Sequence, residues 1–192
     1  MFFVLAAAVG VLAGWAGRGS LARLGEARVR AWPLALVALL GHRLLPLLWP
    51  AGSHPLTTWL VAAGYYLALV LFAAVNLRQS GAALVGVGAA ANGVATLLAG
   101  GRMPVWLAAA GRLDAQRYLP LVHGLVRTHS AMVHPTGLLW LGDVLGLPPP
   151  FPPTVASGGD LAIFCGVALF IATRMWPPAR QDIAPPALGD RA

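Results

Sequence analysis

The stretch Leu56–Val75, LTTWLVAAGYYLALVLFAAV, decides the fold. It carries no charge, and its length matches the ~20 residues that an α-helix needs to cross a bilayer's hydrocarbon core. Trp59 near its start suits the headgroup level, where indole rings anchor, and Arg78 just past its end suits the cytoplasmic side. The rest of the chain has the same character: 58% of its 192 residues are hydrophobic, 10% are charged, and the mean hydropathy is +0.75. A soluble domain usually carries about 25% charged residues. The length leaves no room for a soluble domain of appreciable size beside about four to six spans.

Working outward from this run, the sequence predicts an all-α membrane protein with about five transmembrane helices. They cover residues 1–16, 32–50, 56–76, 81–100 and 159–176, within one integral membrane domain over 1–176. Residues 101–156 form an extracytoplasmic loop with a re-entrant or interfacial segment between the last two spans. Within it, Asp114–His134 reads as an interfacial amphipathic helix with Leu119, Val122, Leu125 and Val126 toward the apolar side, starting near Pro120. Thr136–Leu147 is too short to cross and reads as re-entrant. Pro148–Pro153 is a stiff connector that cannot be helical, and 177–192 is a cytoplasmic tail expected to be disordered. The first run has no basic leader and ends in Gly-Arg-Gly, so it reads as a retained span rather than a cleaved signal.

The chain has 13 basic residues, all Arg, and a net charge of +7. They cluster at the ends of apolar runs, which excludes a nucleic-acid reading and makes membrane lipid the partner. The loop holding Arg18, Arg23, Arg28 and Arg30 is the most basic short segment and should be cytoplasmic. That puts the amino terminus outside and the carboxyl terminus in the cytoplasm, with eight arginines inside, four outside and one, Arg43, within a span. A mid-span Arg is costly; Arg43 either snorkels or pairs with a neighbouring helix, or it points into a polar cavity. The fourth run is rich in Gly and Ala, which lets helices approach closely, and Asn92 within it needs hydrogen-bond partners. Cys165, the single cysteine, excludes an intramolecular disulfide.

Two of only six acidic residues, Asp143 and Asp160, sit in apolar surroundings at the same outer face. Each is a site candidate by its cost alone. Two carboxyls sharing a low-dielectric site cannot both ionise, so one stays charged as a base and the other stays protonated as an acid. The helix dipole at the start of the last span favours charge on Asp160. The structural alternatives are that Asp160 caps the last helix after Ser157-Gly-Gly, and that Asp143 pairs with Arg102 or Arg127.

The segment Leu141-Gly-Asp-Val-Leu followed by Ser157-Gly-Gly-Asp-Leu-Ala-Ile-Phe-Cys-Gly166 resembles the end of lipoprotein signal peptidase (signal peptidase II). That resemblance implies that Asp143 and Asp160 are a catalytic pair acting on a membrane-anchored peptide. The Phe-Asn that precedes the second aspartate in that family is replaced here by Ala156-Ser-Gly. Over most of the chain, Asn92-Gly, Gly101-Arg-Met-Pro-Val105, His123, Leu141-Gly-Asp143 and Ser157-Gly-Gly-Asp160 resemble a family of small bacterial integral membrane proteins of unknown function. This implies a bacterial cytoplasmic-membrane location and no activity.

The first expectation is therefore an aspartate-dyad membrane hydrolase or peptidase, with Asp143 and Asp160 catalytic and Asn92, Arg102, His123 and Arg43 as supporting polar groups. Water attacks, and neither cofactor nor metal is required. The alternative is a non-enzymatic membrane scaffold or small-solute transport component. A second alternative gathers His123, His129, His134 and the two aspartates into an outer-face metal site, although their spacing does not match a His-Glu-x-x-His helix.

Overall fold

The computed structural model describes residues 2–48, 54–113, 118–147 and 154–177, with only the backbone course over 41–48. Five long helices make up its body: α1 (Phe2–Ala16), α3 (Trp32–Leu48), α4 (Pro55–Val75), α5 (Ala82–Leu98) and α8 (Gly158–Met175), with a short α2 (Leu21–Gly25) after the first. They follow the apolar runs because every backbone polar group in such a run must bond within its own segment. Two of them, α4 and α8, are long and apolar enough to cross a membrane, and α1 and α5 are shorter apolar helices.

The packing order is α1–α8–α5–α4–α3. Hydrogen bonds at one end fix the directions. Ser20 N and the Arg23 guanidinium both donate to Met175 O at 3.0 Å, which brings the carboxyl ends of α1 and α8 together. Asn76, buried just after α4, accepts from Arg30 N at 2.9 Å and donates to Arg30 O and Phe72 O at 2.8 Å, tying the start of α3 to the end of α4. Gln79 donates to Arg28 O at 3.0 Å and accepts from Arg174. Arg18, Arg23, Arg28, Arg30, Arg78 and Arg174 all belong to this end.

The closest approach is between α5 and α8, which run antiparallel. A methyl group on Gly88 would lie 2.4 Å from Gly159 O, and one on Gly159 would lie 2.6 Å from Gly88 O. Gly81 and Gly166 meet in the same way at the other end. Only hydrogen at these positions lets the two backbones touch.

Between α5 and α8 the chain folds a small cap, and here one expectation fails. The region contains β1 (Met103–Trp106), α6 (Leu107–Gly111), α7 (Leu119–Val122), β2 (His129–Met132), a 3-10 turn at Gly137–Leu141, β3 (Leu145–Leu147) and β4 (Thr154–Ala156). The amphipathic helix expected over 114–134 is reduced, among the described residues, to one turn. Pro120 starts it, Gly124 follows at φ +67°, and 129–132 is a strand parallel to β1. Leu119, Val122 and Leu125 are exposed, while Leu121 is buried with Val105, Ala109, Ala110 and Val155, and Val126 packs against them. Thr136–Leu147, read from the sequence as re-entrant, has little helix. It is a 3-10 turn followed by extended chain, because Asp143 pairs with Val105 and β3 pairs antiparallel with β4. The proline connector and the tail beyond Pro177 lie outside the described residues.

Candidate functional site

Helix α8 starts with a reciprocal cap. Ser157, fully buried, accepts from Asp160 N at 2.8 Å through Oγ, and Asp160 Oδ2 accepts from Ser157 N at 3.1 Å. The sequence pattern Ser-x-x-Asp encodes this box, which satisfies two otherwise orphaned donors of the helix start. Ser157, not Asp160, is therefore the cap residue, and Asp160 sits three positions inside the helix.

Asn92, buried on α5, reaches across the glycine contact to the same point. Its Nδ2 donates to Asp160 Oδ1 at 2.8 Å, and its Oδ1 accepts from Ser157 Oγ at 2.7 Å. The Asp160 carboxyl is thus held by one backbone and one side-chain donor in the first turn of α8.

Asp143 arrives from the cap. The alternating backbone groups of β1 serve two neighbours. Met103 N donates to Thr128 O on the β2 side, while Pro104 O and Trp106 N bond Asp143 N and O, each at 2.9 Å, on the other. Val144 N then donates to Ala156 O at 3.2 Å, which lays the residue after Asp143 against the residue before Ser157. These two connections bring the Asp143 side chain to the start of α8.

Asp143 as a whole residue is only 6% exposed. Its Oδ2 lies 3.7 Å from His129 Nε2, and its Oδ1 is buried with no hydrogen-bond partner. Burial pushes the carboxyl well above its ordinary value of 3.8, and the negative charge of Asp160 pushes it further. The two carboxyls thus sit in unequal surroundings: Asp143 has one buried oxygen without a partner, and Asp160 has a donor on each oxygen.

The supporting residues divide. Asn92 is in the site. His123 is not: it is the exposed carboxyl-terminal cap of α7. Arg102 is half-buried just before β1 and forms no ion pair with Asp143 among the described residues. The Arg43 side chain lies outside the described residues. His129, expected only as a candidate metal ligand, and Ser157, expected only as part of the cap sequence, are the further groups that the structure brings to the two aspartates. Ser157 was recoverable from its capping pattern. His129 was not, because only the parallel pairing of β2 with β1 carries it to Asp143. His134 is exposed, and no three His, Cys, Asp or Glu side chains among the described residues are gathered to hold a metal ion.

Fold and site together define a mostly helical protein, with helices able to cross a membrane, in which a small cap brings one aspartate within electrostatic reach of another at a helix start. The chain belongs to a family of unknown function, DUF5317, whose profile matches residues 28–172. The matched region leaves out α1 and includes Asn92, His129, Asp143, Ser157 and Asp160. No curated protein and no solved structure matches the chain.

Proposed function

We propose that this protein is a multi-pass membrane hydrolase in which Asp143 and Asp160 act as an acid–base pair on a membrane-anchored peptide. The membrane part of the reading is supported by exposed apolar side chains along the helices: Leu56, Leu60, Leu67, Leu71 and Val75 on α4, Val4 and Leu12 on α1, and Val37 on α3. Apolar surface on this scale suits lipid better than water. The arginines gathered where α1 and α8 end suit the cytoplasmic face, with the cap outside, the amino terminus outside and the carboxyl terminus inside. The resemblance to small bacterial membrane proteins supports a bacterial cytoplasmic membrane as the setting.

The observation that carries the catalytic part is the unequal environment of the two carboxyls. Asp143 is buried and biased to stay protonated; Asp160 is held by Ser157 N and Asn92 Nδ2 as a carboxylate. In the proposed step Asp160 takes a proton from water, and the resulting hydroxide adds to the scissile carbonyl carbon. Asp143 gives its proton to the carbonyl oxygen. The tetrahedral diol then returns a hydroxyl proton to Asp143 as the C=O bond reforms. The C–N bond breaks as the leaving nitrogen takes the proton held by Asp160. Protons balance over the cycle, and no cofactor enters it.

The test is Asp143→Asn and Asp160→Asn in cells, with processing of exported membrane-anchored proteins measured beside the abundance of the variant. Loss of processing at unchanged abundance supports the reading; unchanged processing in Asp143→Asn refutes it. A second reading, a non-enzymatic scaffold or small-solute transport component, is favoured by one observation: both Asp160 oxygens have structural partners, Oδ1 joining α8 to α5 and Oδ2 capping α8 itself. On that reading Asp160→Asn lowers abundance and leaves processing untouched.

A further inference from the structure

His129 has no part in the reaction just described, yet it is the one side chain in ion-pair range of the buried acid among the described residues. The two differ sharply in their access to water. The Asp143 side chain is 8% exposed and that of His129 is 34% exposed, so the imidazole bridges the dry interior and the solvent. Its other nitrogen, Nδ1, lies 2.7 Å from Thr128 Oγ1. A hydroxyl both donates and accepts, so Thr128 suits either tautomer of the ring. With Nδ1–H donating to Thr128, Nε2 presents a lone pair to Asp143. With Thr128 donating to Nδ1, Nε2 carries a proton toward the Asp143 carboxylate.

We propose that His129 is the proton route between water and Asp143, a positioning residue that shares one proton with the buried acid and reloads it whenever the resting acid has lost its proton. This deepens the hydrolase reading and rests on it. The proton moves from Asp143 Oδ2 to His129 Nε2, leaving a carboxylate and an imidazolium; the exposed ring then releases a proton to water. Reloading runs the same path in reverse. The 3.7 Å separation is ion-pair distance, and transfer requires it to close to about 2.6–3.2 Å or to be bridged by one water, a tightening common when a ligand arrives.

Several charged and titratable groups act on the pair. Asp160 faces it from α8, and Tyr66 of α4 lies within electrostatic reach of both carboxyls. Arg102 and Arg127 precede β1 and β2, and α6 and the 3-10 turn bring no ionisable group. Among these, His129 alone combines a short distance to Asp143 with a neutral pKa in its ordinary form.

The experiment has two arms. In purified protein in lipid vesicles, the infrared band of the neutral carboxyl, assigned by its loss in Asp143→Asn, is titrated in the wild type and in His129→Ala. Sharing predicts that the band persists to higher pH once the imidazolium is removed; an unchanged midpoint overturns the proposal. In the processing assay His129→Ala is expected to lose at least tenfold in rate, and added imidazole is expected to restore several-fold of it. His129→Gln, which keeps the size of the side chain and does not titrate, should show the same loss with normal abundance. Wild-type rates in both variants, or a loss that imidazole does not relieve, overturn the route. If Asp143→Asn leaves processing intact, the hydrolase reading falls, while the infrared arm still reports whether the two groups share a proton.

Discussion

Gly158 and Gly159 are neighbours at the start of α8, and the same substitution at each should have opposite consequences. A methyl group on Gly158 meets nothing within 4 Å. On Gly159 it would lie 2.1 Å from Asn92 Oδ1 and 2.6 Å from Gly88 O, against ~3.3 Å for the closest ordinary C···O approach. Asn92 cannot rotate aside without giving up its 2.8 Å bond to Asp160 and its 2.7 Å bond from Ser157, and Gly88 O is backbone. The helices must therefore separate by roughly 0.7 Å or more. Overpacking of this kind costs about 1–3 kcal/mol, and a buried hydrogen bond left half-made adds about 1–3 kcal/mol. At ~2–4 °C per kcal/mol for a chain of this size, Gly159→Ala should lower the melting temperature by about 5–20 °C. Gly158→Ala should leave it unchanged or raise it by up to ~4 °C, through a stiffer unfolded chain worth about 0.4–1 kcal/mol. Tryptophan fluorescence melts of the purified variants in lipid nanodiscs measure both. If the two variants melt together, the α5–α8 contact described above is wrong.

Three further outcomes are expected. Because burial raises the folded-state pKa of Asp143 above its ordinary 3.8, the acid's contribution to stability is complete below that value and is lost as pH rises through the folded pKa. Asp143→Asn should match the wild type in acid and outlast it at higher pH; parallel curves of melting temperature against pH would contradict the assignment. Asn76→Ala removes two hydrogen bonds that join the start of α3 to the end of α4, and a third to Phe72 O within α4, and should cost roughly 1–3 kcal/mol, seen as a lower melting temperature and faster proteolysis at the arginine-rich end. Cys165 is exposed midway along α8, so in intact vesicles it should react with a lipid-soluble maleimide and resist a charged one; rapid labelling by the charged reagent would show that this face meets water.

The five long helices were legible because each is a run of apolar residues, and length and composition define such a run without help from the rest of the chain. Asp143, Asp160 and Asn92 were legible for the complementary reason: a polar group in apolar surroundings stands out. The cap was not. Its strands are three or four residues long, too short for alternation to register, and its pairing is between distant residues such as Met103 and His129. His123 looked as eligible as His129 because both are histidines in one loop. Their difference lies in strand register, which places one beside Asp143 and leaves the other in the open.

The hydrogen bond from Val144 N to Ala156 O closes a loop whose two ends lie next to Asp143 and to Ser157. The sixteen residues between the aspartates are thus bridged by this backbone rung and by the β3–β4 pairing beyond it, and 148–153 is the sequence that joins those two strands. Lengthening or exchanging that stretch should leave the spacing of the carboxyls untouched, so the loop is free to diverge, or to be engineered as an insertion point, under no constraint from the residues it separates.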